Sequence, residues 1–309
     1  MKNKKQDIQM EGSHNIHTVS KTKRGLFWSF VLTGAFFIIE LIVGLRIGSV
    51  AVVADAAHNF SAAAGVGVAL LAVIFAQKPP TPKRTFGFLK AEILSAWING
   101  LVLFVMAFLV LKMGIQNLIS PESVDTAQMM ILAIVGLIIG GIPAILLYKK
   151  QKIDINVRGA FWHVMETVLG SAMVLIAALL VRYFGWLGAD AILGMLLAPV
   201  LFIAAWGIVK SSTMSLLDLT PKDLDLIEIK KNIESISGVL SIHHIHAWSM
   251  GSGKNNFTAH IKILKLEDSQ EILKQATVML KEKYEIYFST IQIETECKDT
   301  NGAEDIDFI

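Results

Sequence analysis

The chain has 309 residues, of which 53% are hydrophobic and only 17% charged, too apolar a balance for a soluble domain of this size whose surface must face water. A formal net charge of +2 is nearly neutral, so nothing in it points to a nucleic-acid partner, and basic residues matter by position rather than by sum. The single cysteine, Cys297, excludes an internal disulfide framework and an all-thiolate metal cage, so metal chemistry here must use histidine and carboxylate.

In chain order, residues 1–25 are polar and basic without an apolar core, which predicts a disordered tail rather than a cleavable signal. A bilayer core of about 30 Å needs about 20 apolar residues per helix. Six stretches meet that need, at about 26–45, 49–76, 92–118, 128–148, 160–182 and 189–210. Lys2, Lys4, Lys5, Lys21, Lys23 and Arg24 lie in the tail, Lys78, Lys83, Arg84 and Lys90 in the second connection, and Lys149, Lys150, Lys152 and Arg158 in the fourth. The other connections hold only Arg46, Lys112 and Arg182, so the positive-inside rule predicts both termini on the cytoplasmic side.

After Leu219-Thr220-Pro221 the composition turns soluble. Helical periodicity over Asp223–Ile236, alternation over Val239–Trp248 and Phe257–Leu264, helix over Glu271–Lys283 and alternation over Ser289–Glu296 give the order α-β-β-α-β. The fold expected is therefore a six-helix membrane domain over 26–218, then a small ferredoxin-like α+β domain over 219–297 with helices on one sheet face, and an acidic tail over 298–309.

Ionisable side chains at membrane depth are costly and line pathways. The second span carries Asp55, His58 and Asn59, the fifth His163 and Glu166, and each set falls on one turn of a helix face. Two imidazoles on separate helices, each with a carboxylate one turn away, are what a four-coordinate Zn²⁺ site between two helices requires. Glu40, Glu92 and Asp190 lie near helix ends and read as structural, and Asn99 reads as an interhelical hydrogen-bonding group. In the soluble domain, strict alternation sets His243 on one face of its strand and His244, His246 and Trp248 on the other. Surface histidines on a sheet are common, and His14, His17 and Cys297 make no metal site on their own. No nucleotide-binding glycine loop, nucleophile elbow or zincin helix supports an enzyme.

The stretches Gly48-Ser49-Val50-Ala51-Val52-Val53-Ala54-Asp55-Ala56-Ala57-His58-Asn59 and Asn156-Val157-Arg158-Gly159-Ala160-Phe161-Trp162-His163 carry a resemblance to the cation diffusion facilitator family of divalent-metal transporters. Phe86 to Leu94, Gly188-Ala189-Asp190 and Gly238 to Trp248 support it, and the similarity runs from about Leu26 to Glu294. The resemblance implies a homodimer in the cell membrane that exports Zn²⁺ or a similar ion, usually against protons, from a site formed by His-x-x-x-Asp on the second and fifth helices. It also implies a regulatory zinc at positions like His243, His260 and Glu294. Here Ala62 and Thr167 stand four residues after His58 and His163, so both expected aspartates are missing. Three readings stay open: transport with Glu166 as replacement carboxylate; a different cation (Mn, Fe, Co or Cd) held by Asn59, Thr167 and water; or a non-transporting partner subunit.

Overall fold

The computed structural model describes residues 27–76, 80–148, 155–251 and 253–296, and leaves the side chains of 72, 73, 75, 76, 155–160 and 163 outside that description. Both terminal tails of the sequence reading, Cys297 and the His163 side chain therefore lie outside the described residues. The chain divides into two compact units, Met1–Gln77 with Ser95–Lys210, and Lys78–Leu94 with Ser211–Ile309.

The first unit is helical, built from α1 over Phe27–Ile47, α2 over Val50–Ala76, α4 over Thr126–Tyr148, α5 over Ile155–Phe184 and most of α3 over Leu89–Ile119 and of α6 over Gly188–Leu216, whose residues 89–94 and 211–216 fall in the second unit. Among the described residues, five of these helices contain stretches long and apolar enough to cross a membrane, in α1, α3, α4, α5 and α6. Exposed Ile145, Ile203 and Leu32, at 77, 74 and 67% of full accessibility, sit where a soluble protein would place polar residues. α2 is the hub of the packing. Its Ala51 and Val52 pack with Ala133, Val174 and Ala178, its Val50 and Ala54 with Val110 and Ala191, and its Ala57 with Leu103 and Ala205. Small side chains at these contacts let helices approach closely where there is no water to drive them together.

The start of α2 explains Asp190. Backbone N–H groups at a helix N-terminus have no partner within the helix. Asp190, on α6, accepts from Val50 N at 2.7 Å, Ala51 N at 3.2 Å and Ser49 Oγ at 2.6 Å, while Ser49 Oγ accepts from Val52 N at 3.2 Å. The carboxylate also sits at the positive end of the helix dipole. Gly194, one turn along α6, lets that helix close on the same point, since a Cβ there would lie 2.6 Å from the Val50 carbonyl carbon.

In the second unit, α7 (Leu226–Glu234), β1 (Val239–Ser249), β2 (Asn255–Ile263), α8 (Ser269–Tyr284) and β3 (Phe288–Glu294) follow one another in the α-β-β-α-β order. Strand β2 is central, antiparallel to β1 and parallel to β3, and the parallel pair is joined through α8 because no tight turn can connect parallel neighbours. Asp225 caps α7 by accepting from Ile227 N and Glu228 N. Ile229 and Ile233 of α7 and Ile272 and Leu280 of α8 bury one face of the sheet, on Ile242, Phe257, Ile261 and Ile263.

The other face departs from simple alternation. His243 pairs with His260 and His246 with Thr258, so β1 spends one residue more than β2 between these rungs. This is a β-bulge, and His244 occupies it with φ 49°. Burial records the phase change: Ile242 is buried before the bulge, and Ile245 and Ala247 after it. The alternation that places His244 opposite His243 is thereby corrected, because the extra residue turns the His244 ring onto the face that His243 occupies.

Candidate metal centres

Two groups of polar side chains come together, one in each unit. In the helical unit they lie along the seam between α2 and α5, which run antiparallel in contact. His58 Nε2 on α2 lies 3.5 Å from Thr167 Oγ1 on α5. One turn along, Ser171 Oγ donates to Asp55 Oδ2 at 3.0 Å. The approach at that rung requires glycine at 170, where a Cβ would run into Asp55 Oδ1. Asp55 is fully buried, and its Oδ1 accepts no hydrogen bond among the described residues.

The polar residues of α2 thus divide. Asn59 donates from Nδ2 to Glu40 Oε2 of α1 at 2.7 Å, both side chains being buried. Asp55 and Asn59 are engaged with Ser171 and Glu40, whereas half-buried His58 faces Thr167. Thr167, four residues after His163, is thus the α5 side chain that meets His58, through its hydroxyl. Glu166 is exposed on the adjacent position of α5, and the α5 backbone at His163 is helical, one turn before Thr167. Asn99 is buried, and its Oδ1 accepts no hydrogen bond among the described residues.

On the open sheet face of the second unit, His243 Nε2 lies 2.9 Å from Glu294 Oε1, close but off the line of a hydrogen bond, and His260 Nδ1 lies 3.9 Å from Glu294 Oε2. The bulge adds His244, whose ring centroid is 5.0 Å from that of His243 and 5.1 Å from that of His260. One ligand nitrogen from each of the three imidazoles falls within 4.8 Å of the others. Three clustered imidazoles beside the buried Glu294 carboxylate are of the donor types that tetrahedral zinc takes. His246, by contrast, is exposed one rung away. His244 was hidden from sequence reasoning. The available signal is that histidine is among the few residues besides glycine enriched at positive φ, and it does not by itself locate a bulge.

Residues 26–217 match the family described as cation efflux transmembrane domain, and residues 221–296 match the cation efflux protein cytoplasmic domain. The chain belongs to the cation efflux family, the cation diffusion facilitators. Among its relatives, the cation efflux system protein CzcD of Alcaligenes sp. (strain CT14) is 34% identical over 96% of this chain and 94% of its own. The zinc transporter ZitB of Escherichia coli is 35% identical over 92% of this chain and 93% of its own. The cadmium, cobalt and zinc/H(+)-K(+) antiporter of Bacillus subtilis is 32% identical over 94% of each. A solved structure, the metal-bound C-terminal domain of the CzcD transporter from Cuprividus metallidurans, is 36% identical over 23% of this chain and 99% of that chain, with a TM-score of 0.22. This cation diffusion facilitator is accordingly an integral membrane protein for efflux of metal cations, and its relatives are transporters rather than enzymes.

Proposed function

We propose that this chain exports a divalent transition-metal ion, zinc foremost, by alternating access at the α2/α5 seam, taking up protons in return. The observation that carries the reading is the 3.5 Å between His58 Nε2 and Thr167 Oγ1. Two donors that each lie about 2.0–2.1 Å from a tetrahedral zinc are roughly 3.3 Å apart, so the pair needs little movement to bind one ion. His163, one turn away on α5, supplies the second imidazole. Two neutral imidazoles and a hydroxyl leave a doubly charged ion uncompensated in a low-dielectric surrounding, and Glu166 on the same turn of α5 is the carboxylate that offsets it. An imidazole ligates only when deprotonated, so binding the ion from the cytoplasm releases protons, and release on the far side lets them return. Rocking of helices about the seam exposes the site to either side in turn.

The lysine and arginine distribution supports both termini on the cytoplasmic side, and the cytoplasmic unit is the surface through which two chains form a homodimer in the cell membrane. On its open face His243, His244, His260 and Glu294 would hold a regulatory zinc, which would tie two strands and the end of a third together.

Ala62 and Thr167 at the expected aspartate positions favour a second reading, a partner subunit that moves no ion. Metal flux into liposomes under a pH gradient separates the two, with Zn²⁺, Cd²⁺, Co²⁺, Mn²⁺ and Fe²⁺ each offered to the unaltered protein and to the His163→Ala and Glu166→Ala variants. Flux lost in both variants supports the site as proposed. Flux that survives Glu166→Ala but not His163→Ala assigns a neutral-ligand site with a different ion preference. No flux from the unaltered protein, with transport created by Ala62→Asp and Thr167→Asp together, establishes the partner subunit.

A further inference from the structure

The connection from α2 to α3 carries cations that the metal chemistry does not use. A backbone bridge, Thr81 N to Arg84 O at 3.0 Å and Arg84 N to Thr81 O at 2.8 Å, folds this connection into a defined loop. A cavity of about 380 Å³ opens between the loop and the end of β1, lined by Lys83, Arg84, Phe86 and Lys90 on one side and Trp248 and Met250 on the other. Among the described residues no Asp or Glu lines it. Lys90 is neutralised by Asp218 at 2.6 Å. Arg84 lies over the Phe88 ring, 4.4 Å from its centroid, and neither it nor Lys83 forms an ion pair among the described residues. Two exposed cations held by a folded loop, with no carboxylate among the described lining residues, make a cavity lined by positive charge.

We propose that this cavity binds the phosphate headgroup of an anionic phospholipid in the cytoplasmic leaflet. Position selects lipid over a dissolved anion. The loop leads directly into α3, where Leu94 and Ile98 expose apolar side chains, 47 and 51% accessible, within the first turns of a helix apolar enough to span. Phe86, 54% exposed at the cavity rim, and Trp248 in its wall are the aromatic residues that settle at the level of lipid headgroups. A cavity with one wall from a membrane-helix connection and the other from the cytoplasmic sheet lets a bound headgroup bridge the two.

The test titrates the purified full chain in detergent with fluorescent short-chain phosphatidylglycerol, read by anisotropy, against phosphatidylcholine with the same chains. Each cation near an anionic lipid contributes about fivefold in affinity, so Lys83→Gln with Arg84→Gln is expected to weaken phosphatidylglycerol binding by about 25-fold. Lys274→Gln with Lys281→Gln, two cations moved from α8, is expected to leave it unchanged, and all proteins are compared at equal thermal midpoints. Equal binding of the two lipids, or equal loss in both double variants, overturns the proposal. Displacement of the lipid by millimolar inorganic phosphate at a matching affinity also overturns it, since the site then recognises a dissolved anion.

Discussion

Replacing His244 by alanine is the most discriminating perturbation of the cytoplasmic unit, because alternation and the bulge make opposite statements about this residue. By alternation His244 and His246 are equivalent and remote from His243; in the structure His244 shares a 4.8 Å ligand sphere with His243 and His260, and His246 does not. Structural zinc sites of four ligands contribute about 10–16 kcal/mol, or roughly 2.5–4 kcal/mol per ligand. His244→Ala is thus expected to weaken zinc binding at this site by about 10²–10³-fold, and His246→Ala to leave it within about threefold. The assay is competition with a chromophoric chelator on the full chain carrying His58→Ala and His163→Ala, which silence the membrane site. His243→Ala serves as the positive control. Zinc affinity that falls in His243→Ala but is retained in His244→Ala would refute the reasoning, reducing the contact of His244 to packing.

Gly170→Ala is expected to destabilise the helical unit by about 1–3 kcal/mol through overpacking, since its Cβ runs into Asp55 Oδ1; in an Asp55→Ser background the same change should cost less, as measured by unfolding in detergent, and equal costs in the two backgrounds would remove the steric explanation. The Glu228 carboxyl is held below its ordinary 4.5 by the hydrogen bond from Lys283 and its positive charge, then by the Tyr284 hydroxyl. A carboxyl whose folded value is depressed stabilises fully above its unfolded value and loses that contribution as pH falls through the depressed one. The difference in thermal midpoint between the unaltered protein and Lys283→Gln is therefore expected at pH 7 and to vanish as pH drops well below 4.5, and because the pair is exposed it should be small and diminish with salt.

The apolar spans and the change to a soluble α-β-β-α-β pattern after Pro221 were legible in the sequence, because span length and side-chain period are local properties that composition alone imposes. The structural reading of Asp190 was legible only in kind: its place near a helix end marks it as structural, but that it caps α2 from α6, 140 residues away in sequence from Val50, depends on which helices meet. Asp55 and Asn59 share a helix face with His58 in the sequence, and periodicity cannot divide them. Only the packing shows that α1 brings Glu40 to Asn59 while α5 brings Ser171 to Asp55 and Thr167 to His58.

The sequence alone thus determined the apolar helical spans, the order of the cytoplasmic elements and the polar residues placed among the spans. Tertiary structure decided which of them meet. The period of two along a strand holds only while each residue has one partner opposite, and at His244 the pairing of β1 with β2 inserts one more. A register shift is a property of two strands together, so neither strand announces it, and it is this shift that gathers the third imidazole beside His243 and His260.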